Sequence, residues 1–151
     1  MTRRFMVLVM GLCLGGPAAA QVFNKDAVDM CLEALPGSAS AAPCMLMVRG
    51  FCLESSEDVG LAAEIACLDR ALLAFDGWTD QTVADHEALA PIVPQITDYR
   101  SQLFDYCAAQ IVGDSQEDRR DFRLCQLAGS GAMYRNISRG AALAAKEAED
   151  E

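Results

Sequence analysis

The sequence has 151 residues, with 22 acidic residues against 12 basic ones and a formal net charge of −10. That length suits one domain with its own core. The acidity excludes nucleic acid and anionic membrane surfaces, which recruit clusters of Lys and Arg; it suits a cationic partner, or simply keeps a small protein in solution.

Residues 1–20 read as a cleavable signal peptide. Met1-Thr2-Arg3-Arg4 is a positive start, Phe5 to Leu14 an uncharged apolar run, and Pro17-Ala18-Ala19-Ala20 a run of small residues for a peptidase. The apolar run is shorter than the roughly 20 residues a membrane anchor needs. Leu12 before Cys13 does not suit lipid attachment, which wants a small residue there. Cleavage would leave Gln21 first and 151 − 20 = 131 residues, with 10 − 22 = −12 charges once Arg3 and Arg4 are gone. No later segment is long and apolar enough to span a bilayer, so the expected location is periplasmic or secreted.

From residue 21 to about 145 the pattern predicts one all-α domain of about five or six helices, because apolar residues recur at helical spacing and nowhere alternate over a strand's length. A short helix is expected over Lys25–Leu35, stopped by Pro36-Gly37. Residues 38–42 are small and form a loop. Pro43 suits the first turn of a second helix running to about Leu53. The clearest stripe is Leu61, Ile65, Leu68, Leu72 and Phe75, in a helix over Val59–Phe75 that Gly77 would end in the left-handed conformation. Thr79 would cap a further polar segment, Asp80–Ala90, stopped by Pro91 and Pro94. The next helix, Gln95–Val112, ends at Gly113. Asp114 and Glu117 are spaced as a capping box for the last helix, which carries Phe122, Cys125, Met133 and Ile137 and is weakened by Gly129 and Gly131. Residues 146–151 are a charged tail expected to fray.

With Cys13 lost, six cysteines remain: Cys31, Cys44, Cys52, Cys67, Cys107 and Cys125. An even number in an exported domain predicts three disulfides. Zinc is disfavoured, since there is no CxxC and His86 is the only histidine; no cofactor is expected. Cys44 and Cys52 lie eight residues apart on one helix, a rise of about 12 Å, beyond the roughly 7 Å that a disulfide tolerates between Cα atoms. The pairing expected is Cys31–Cys44, Cys52–Cys67 and Cys107–Cys125.

Catalytic chemistry is hard to assemble from these residues. His86 sits among Asp85, Glu87 and Ala88 with no nucleophile nearby in sequence. Acidic pairs such as Glu57/Asp58 and Asp80/Asp85 could serve a glycosidase, but lone carboxylates in so acidic a chain read as surface charge. There is no GxSxG, P-loop or dinucleotide fingerprint. Trp78 reads as a core lid or as a binding platform, and Arg119, Arg120 and Arg123 as intramolecular partners of nearby acids. The sequence therefore predicts no enzyme.

One resemblance goes further. Cys44-Met45-Leu46-Met47-Val48-Arg49-Gly50-Phe51-Cys52-Leu53-Glu54, a short polar turn, and Ala66-Cys67-Leu68-Asp69-Arg70 resemble the LprI lysozyme-inhibitor family of exported bacterial proteins. Tyr99-Arg100 before Cys107, and Cys125 with Arg135, resemble that family's later pieces. The likeness covers roughly Cys44 to Ile137. It implies a protein-binding module whose partner is lysozyme. Glu54–Gly60 and Gly77–Thr82 would then be the segments that reach the partner, with Glu57, Asp58 and Trp78 as candidate contacts. The alternatives are a structural or stress-related envelope protein with another partner and, least favoured, a periplasmic hydrolase.

Overall fold

The structure is a computed structural model that describes residues 24–37 and 39–149; the expected signal peptide lies outside them. Five α-helices follow in order: α1 (Lys25–Ala34), α2 (Ala42–Ser56), α3 (Leu61–Ala84), α4 (Val93–Gln110) and α5 (Gln116–Glu149), with a 3₁₀ segment at Glu87–Ile92. The domain is all-α, and the described residues contain no strand. No helix among them is long and apolar enough to cross a membrane.

Chemically marked beginnings stand at α1, α2, α3 and α5. The Asn24 side chain accepts from the backbone N–H groups of Asp26 and Ala27, which the first turn would otherwise leave unpaired. Pro43 lies in the first turn of α2. The α2–α3 turn closes through Gly60, whose N–H donates to the Ser56 carbonyl at 2.8 Å. Its φ of 88° is the single left-handed residue among those described, a conformation that glycine adopts without Cβ strain. The capping box of α5 is Ser115 with Asp118, one residue later than Asp114 with Glu117. Ser115 Oγ accepts from Asp118 N at 3.0 Å, and Asp118 Oδ2 accepts from Ser115 N at 3.1 Å.

α3 and α5 are the two long helices and pack along each other more extensively than any other pair. α2 lies against both, α1 against α2, and α4 against α5. The main core joins Val28 and Leu32 of α1, Met45 and Val48 of α2, Leu68, Ala71 and Phe75 of α3, and Leu127 and Tyr134 of α5. A smaller cluster under the 3₁₀ segment joins Leu89, Ile96, Met133, Ile137 and Ala141.

Three disulfides staple these helices. Cys31–Cys44 ties α1 to α2, Cys52–Cys67 ties α2 to α3, and Cys107–Cys125 ties α4 to α5, with Cα–Cα distances of 5.8, 5.5 and 5.8 Å. This is the pairing expected above, and no bridge joins Cys44 to Cys52, which the helix rise had excluded.

α3 does not stop at Gly77. It runs on to Ala84, because the buried stripe continues through Phe75, Trp78 and Thr79. Thr79 is fully buried inside the helix and caps nothing. Covering these side chains outweighs the roughly 1 kcal/mol that an interior glycine costs a helix. The expected segment Asp80–Ala90 is therefore divided between the end of α3 and the 3₁₀ segment. α5 likewise passes unbroken through Gly129 and Gly131, and its helix continues to Glu149.

Candidate functional site

The candidate contacts Glu57 and Asp58 lie in the exposed turn between α2 and α3. Trp78 lies inside α3, not on a connecting segment, so Gly77–Thr82 is no loop. It is half-buried, with its ring centroid 5.1 Å from that of Phe75 and 5.7 Å from that of Tyr134 on α5. Phe75 and Tyr134 complete the triangle at 5.8 Å. From Leu61 to Trp78 the helix rises by about 25 Å. The structure therefore does not bring Trp78 together with Glu57 and Asp58 at one site.

Three of the charged residues that carry the resemblance, Asp69, Arg100 and Arg135, hold helices together. Arg123 Nε of α5 lies 2.5 Å from Asp69 Oδ1 of α3. Arg100 of α4 reaches two carboxylates of α3, with Nε 3.1 Å from Asp76 Oδ1 and Nη2 2.9 Å from Asp80 Oδ1. Burial pushes the Asp76 carboxyl up, against the pull of Arg100. Arg135 is only 6 % exposed and donates to the carbonyls of Pro36 and Ala39, fastening the α1–α2 connection onto α5. Arg139 does the same at the Gly37 carbonyl. In the basic cluster, Arg120 pairs with Asp121 and Arg123 with Asp69, while Arg119 lies beside a groove between α4 and α5 that Phe104 and Phe122 also line.

A cavity of about 360 Å³ opens between α1, the end of α3 and α5, and it holds the one histidine. His86 Nδ1 lies 2.8 Å from the Thr82 carbonyl. Contact with that carbonyl favours a proton on Nδ1 and leaves Nε2 free to accept. Opposite, Tyr134 donates to Asp29 Oδ1 at 2.7 Å, and Lys25 Nζ donates to Asp29 Oδ2 at 2.5 Å. Burial opposes the charge on Lys25, but hydrogen bonds to Asp29 and Tyr134 overcome it and push the ammonium up to about 12. Burial also raises the Tyr134 phenol. Ser138 also lines the cavity, but its Oγ is buried and no hydrogen bond joins it to His86. The arrangement therefore holds no assembled nucleophile–base pair. Among the described residues no group of three His, Cys, Asp or Glu is placed to hold a metal ion.

Sequence reasoning missed the Lys25–Asp29–Tyr134 cluster. Its signal was the Lys25/Asp29 spacing of four, which places both on one face of α1; Tyr134 lies 105 residues from Asp29 and has no local signature. No protein family, curated protein or solved structure matches the chain, so a functional reading rests on this geometry and on the resemblance of its cysteine-bearing segments.

Proposed function

We propose that the protein is an exported protein-binding module with a cationic partner, lysozyme being the partner that the resemblance implies. The observation that carries the first part is the set of three interhelical disulfides. Such bridges form and persist in oxidising compartments outside the cytoplasm. The charge of −10 supports a cationic partner. Asp69, Asp76 and Asp80 are engaged by arginines, whereas Glu57 and Asp58, like the exposed Glu33, Asp98 and Asp105, enter no ion pair among the described residues and leave acidic surface for such a partner.

The test is lysozyme activity on cell walls with the oxidised protein in excess, at low and at physiological salt. Charge attraction between exposed groups is screened over about 8 Å at physiological ionic strength. Inhibition that survives that salt supports a specific complex. Inhibition that disappears with salt marks non-specific pairing of opposite charges, and no inhibition at either salt removes lysozyme as the partner.

A further inference from the structure

Helix α2 carries apolar residues on both its faces, yet the fold covers only one. Cys44, Met45, Val48 and Cys52 are buried. On the other side, Leu46 is 62 % exposed, Met47 44 % and Leu53 43 %. Leu46, Gly50, Leu53 and Glu57 step by four, three and four residues, which makes a single stripe along the helix. Leu46 and Leu53 are the two apolar side chains of that stripe, two turns apart, and Met47 lies on its flank; apolar surface grouped in this way on one helix is what a docking partner covers.

Gly50 is a second, independent observation. It stands in the middle of the stripe, and a Cβ added there would meet nothing within 4 Å. No neighbour in the fold requires glycine at this position, although glycine weakens a helix relative to alanine. Bare backbone there lets another chain approach closely.

Charge then chooses the occupant. Glu54, Glu57 and Asp58 are exposed at the carboxyl end of the face and enter none of the ion pairs among the described residues. Arg49 stands half-buried on the flank. A second copy of this chain would bring like charge against these acids, each copy carrying −10. A segment with apolar residues on one side and lysines or arginines beside them would match both features.

We infer that the outer face of α2 docks a cationic amphipathic helix of a protein partner, laid across Gly50. This deepens the reading of the protein as a binding module and rests on it. Helix-on-helix packing is closest where one partner lacks a side chain, and the acids beyond Leu53 would meet the basic residues of the incoming helix.

The probe is a synthetic helical peptide with leucines on one face and lysines on the other. It is titrated into the isotopically labelled oxidised protein at physiological salt while backbone amide shifts are followed. Shifts centred on α2 are expected, with affinity falling about tenfold on Leu46→Ser combined with Leu53→Ser, and again on Gly50→Gln. Glutamine is a good helix former and its Cβ would meet nothing within 4 Å at position 50, so this variant should melt no lower than the native protein. Its lost binding then cannot come from lost folding. The inference is overturned if the peptide does not bind, if the shifts lie elsewhere, or if both variants bind as the native chain does. It is also overturned if sedimentation finds a dimer that Gly50→Gln dissociates. Lysozyme titrated in parallel separates the two readings. Loss of peptide binding in native protein that still binds lysozyme overturns this face and leaves the module reading standing. Peptide docking on α2 without lysozyme binding supports this face and removes lysozyme as the partner.

Discussion

Gly131 and Gly77 are both interior residues of long helices, but their surroundings differ. A Cβ on Gly131 would lie 2.1 Å from the Met45 sulfur, and one on Gly129 would lie 2.4 Å from Leu103 Cδ1. These two glycines let α2 and α4 close onto α5. At Gly77 a Cβ would meet nothing within 4 Å. Gly131→Ala should therefore destabilise the protein by about 1–2 kcal/mol, because overpacking a buried contact exceeds the gain in helix propensity. Gly77→Ala should instead stabilise it by about 0.5–1 kcal/mol. Chemical denaturation of the two variants side by side checks the opposite signs; the same sign for both would mean that these contacts are misplaced. At this scale the sequence was only half legible. It marks Gly129 and Gly131 as weak points of a helix, which is true of propensity, but it cannot show that the missing side chains are what the neighbouring helices need. The α5 cap was similarly blurred, since Asp114-Ser115-Gln116-Glu117-Asp118 offers two boxes one residue apart and only the fold selects Ser115 with Asp118.

The attachment of α1 to the body depends on protonation. Lys25 and Tyr134 converge on the two oxygens of Asp29, joining α1 to α5. The Lys25 ammonium is pushed up from 10.5 to about 12, so its contribution is complete below about 10.5 and is lost as pH rises through 12. The Tyr134 phenol is raised as well. It ionises more readily in the unfolded chain, so it too costs stability only on the alkaline side. The melting temperature should therefore stay level across neutral pH on account of these groups and fall above about pH 10. Asp29→Asn should lower the neutral value and make the alkaline fall shallower. A fall equally steep in Asp29→Asn would show that the cluster does not govern it. Lys146 is the only other lysine in the chain and stands in the last turn of α5. Element boundaries were legible where a start is chemically marked, as at Pro43, and at the Cys44–Cys52 spacing, which forbade a bridge within α2. They were not legible at Gly77, because only the ring cluster of Phe75, Trp78 and Tyr134, assembled from two helices far apart in sequence, shows why α3 continues.

Over the whole molecule, the three bridges contribute independently. The closed segments, 31–44, 52–67 and 107–125, neither overlap nor nest, with separations of 13, 15 and 18 residues. Constraining the unfolded chain over a loop of this length is worth about 3 kcal/mol. Non-overlapping loops restrict different parts of the unfolded ensemble, so three of them come to about 9 kcal/mol. That matches the whole net stability of an ordinary domain, about 5–15 kcal/mol. On these figures the staples contribute most of the margin by which the helices stay folded together, and reduction tests that directly. Thiol titration of the denatured, unreduced protein should find none of the six cysteines from Cys31 to Cys125 free. Full reduction should lower the melting temperature by about 25 °C or remove the cooperative transition altogether. Replacing Cys107 and Cys125 by serine should cost roughly a third of that and loosen α4 first, since α4 packs mainly on α5 and the 3₁₀ segment. Hydrogen exchange of the double variant would show this as faster exchange in Val93–Gln110 while α3 stays protected. A reduced chain that melted within a few degrees of the oxidised one would mean that helix packing alone holds the domain. The case for an exported protein would then lose its physical basis, whatever its partner.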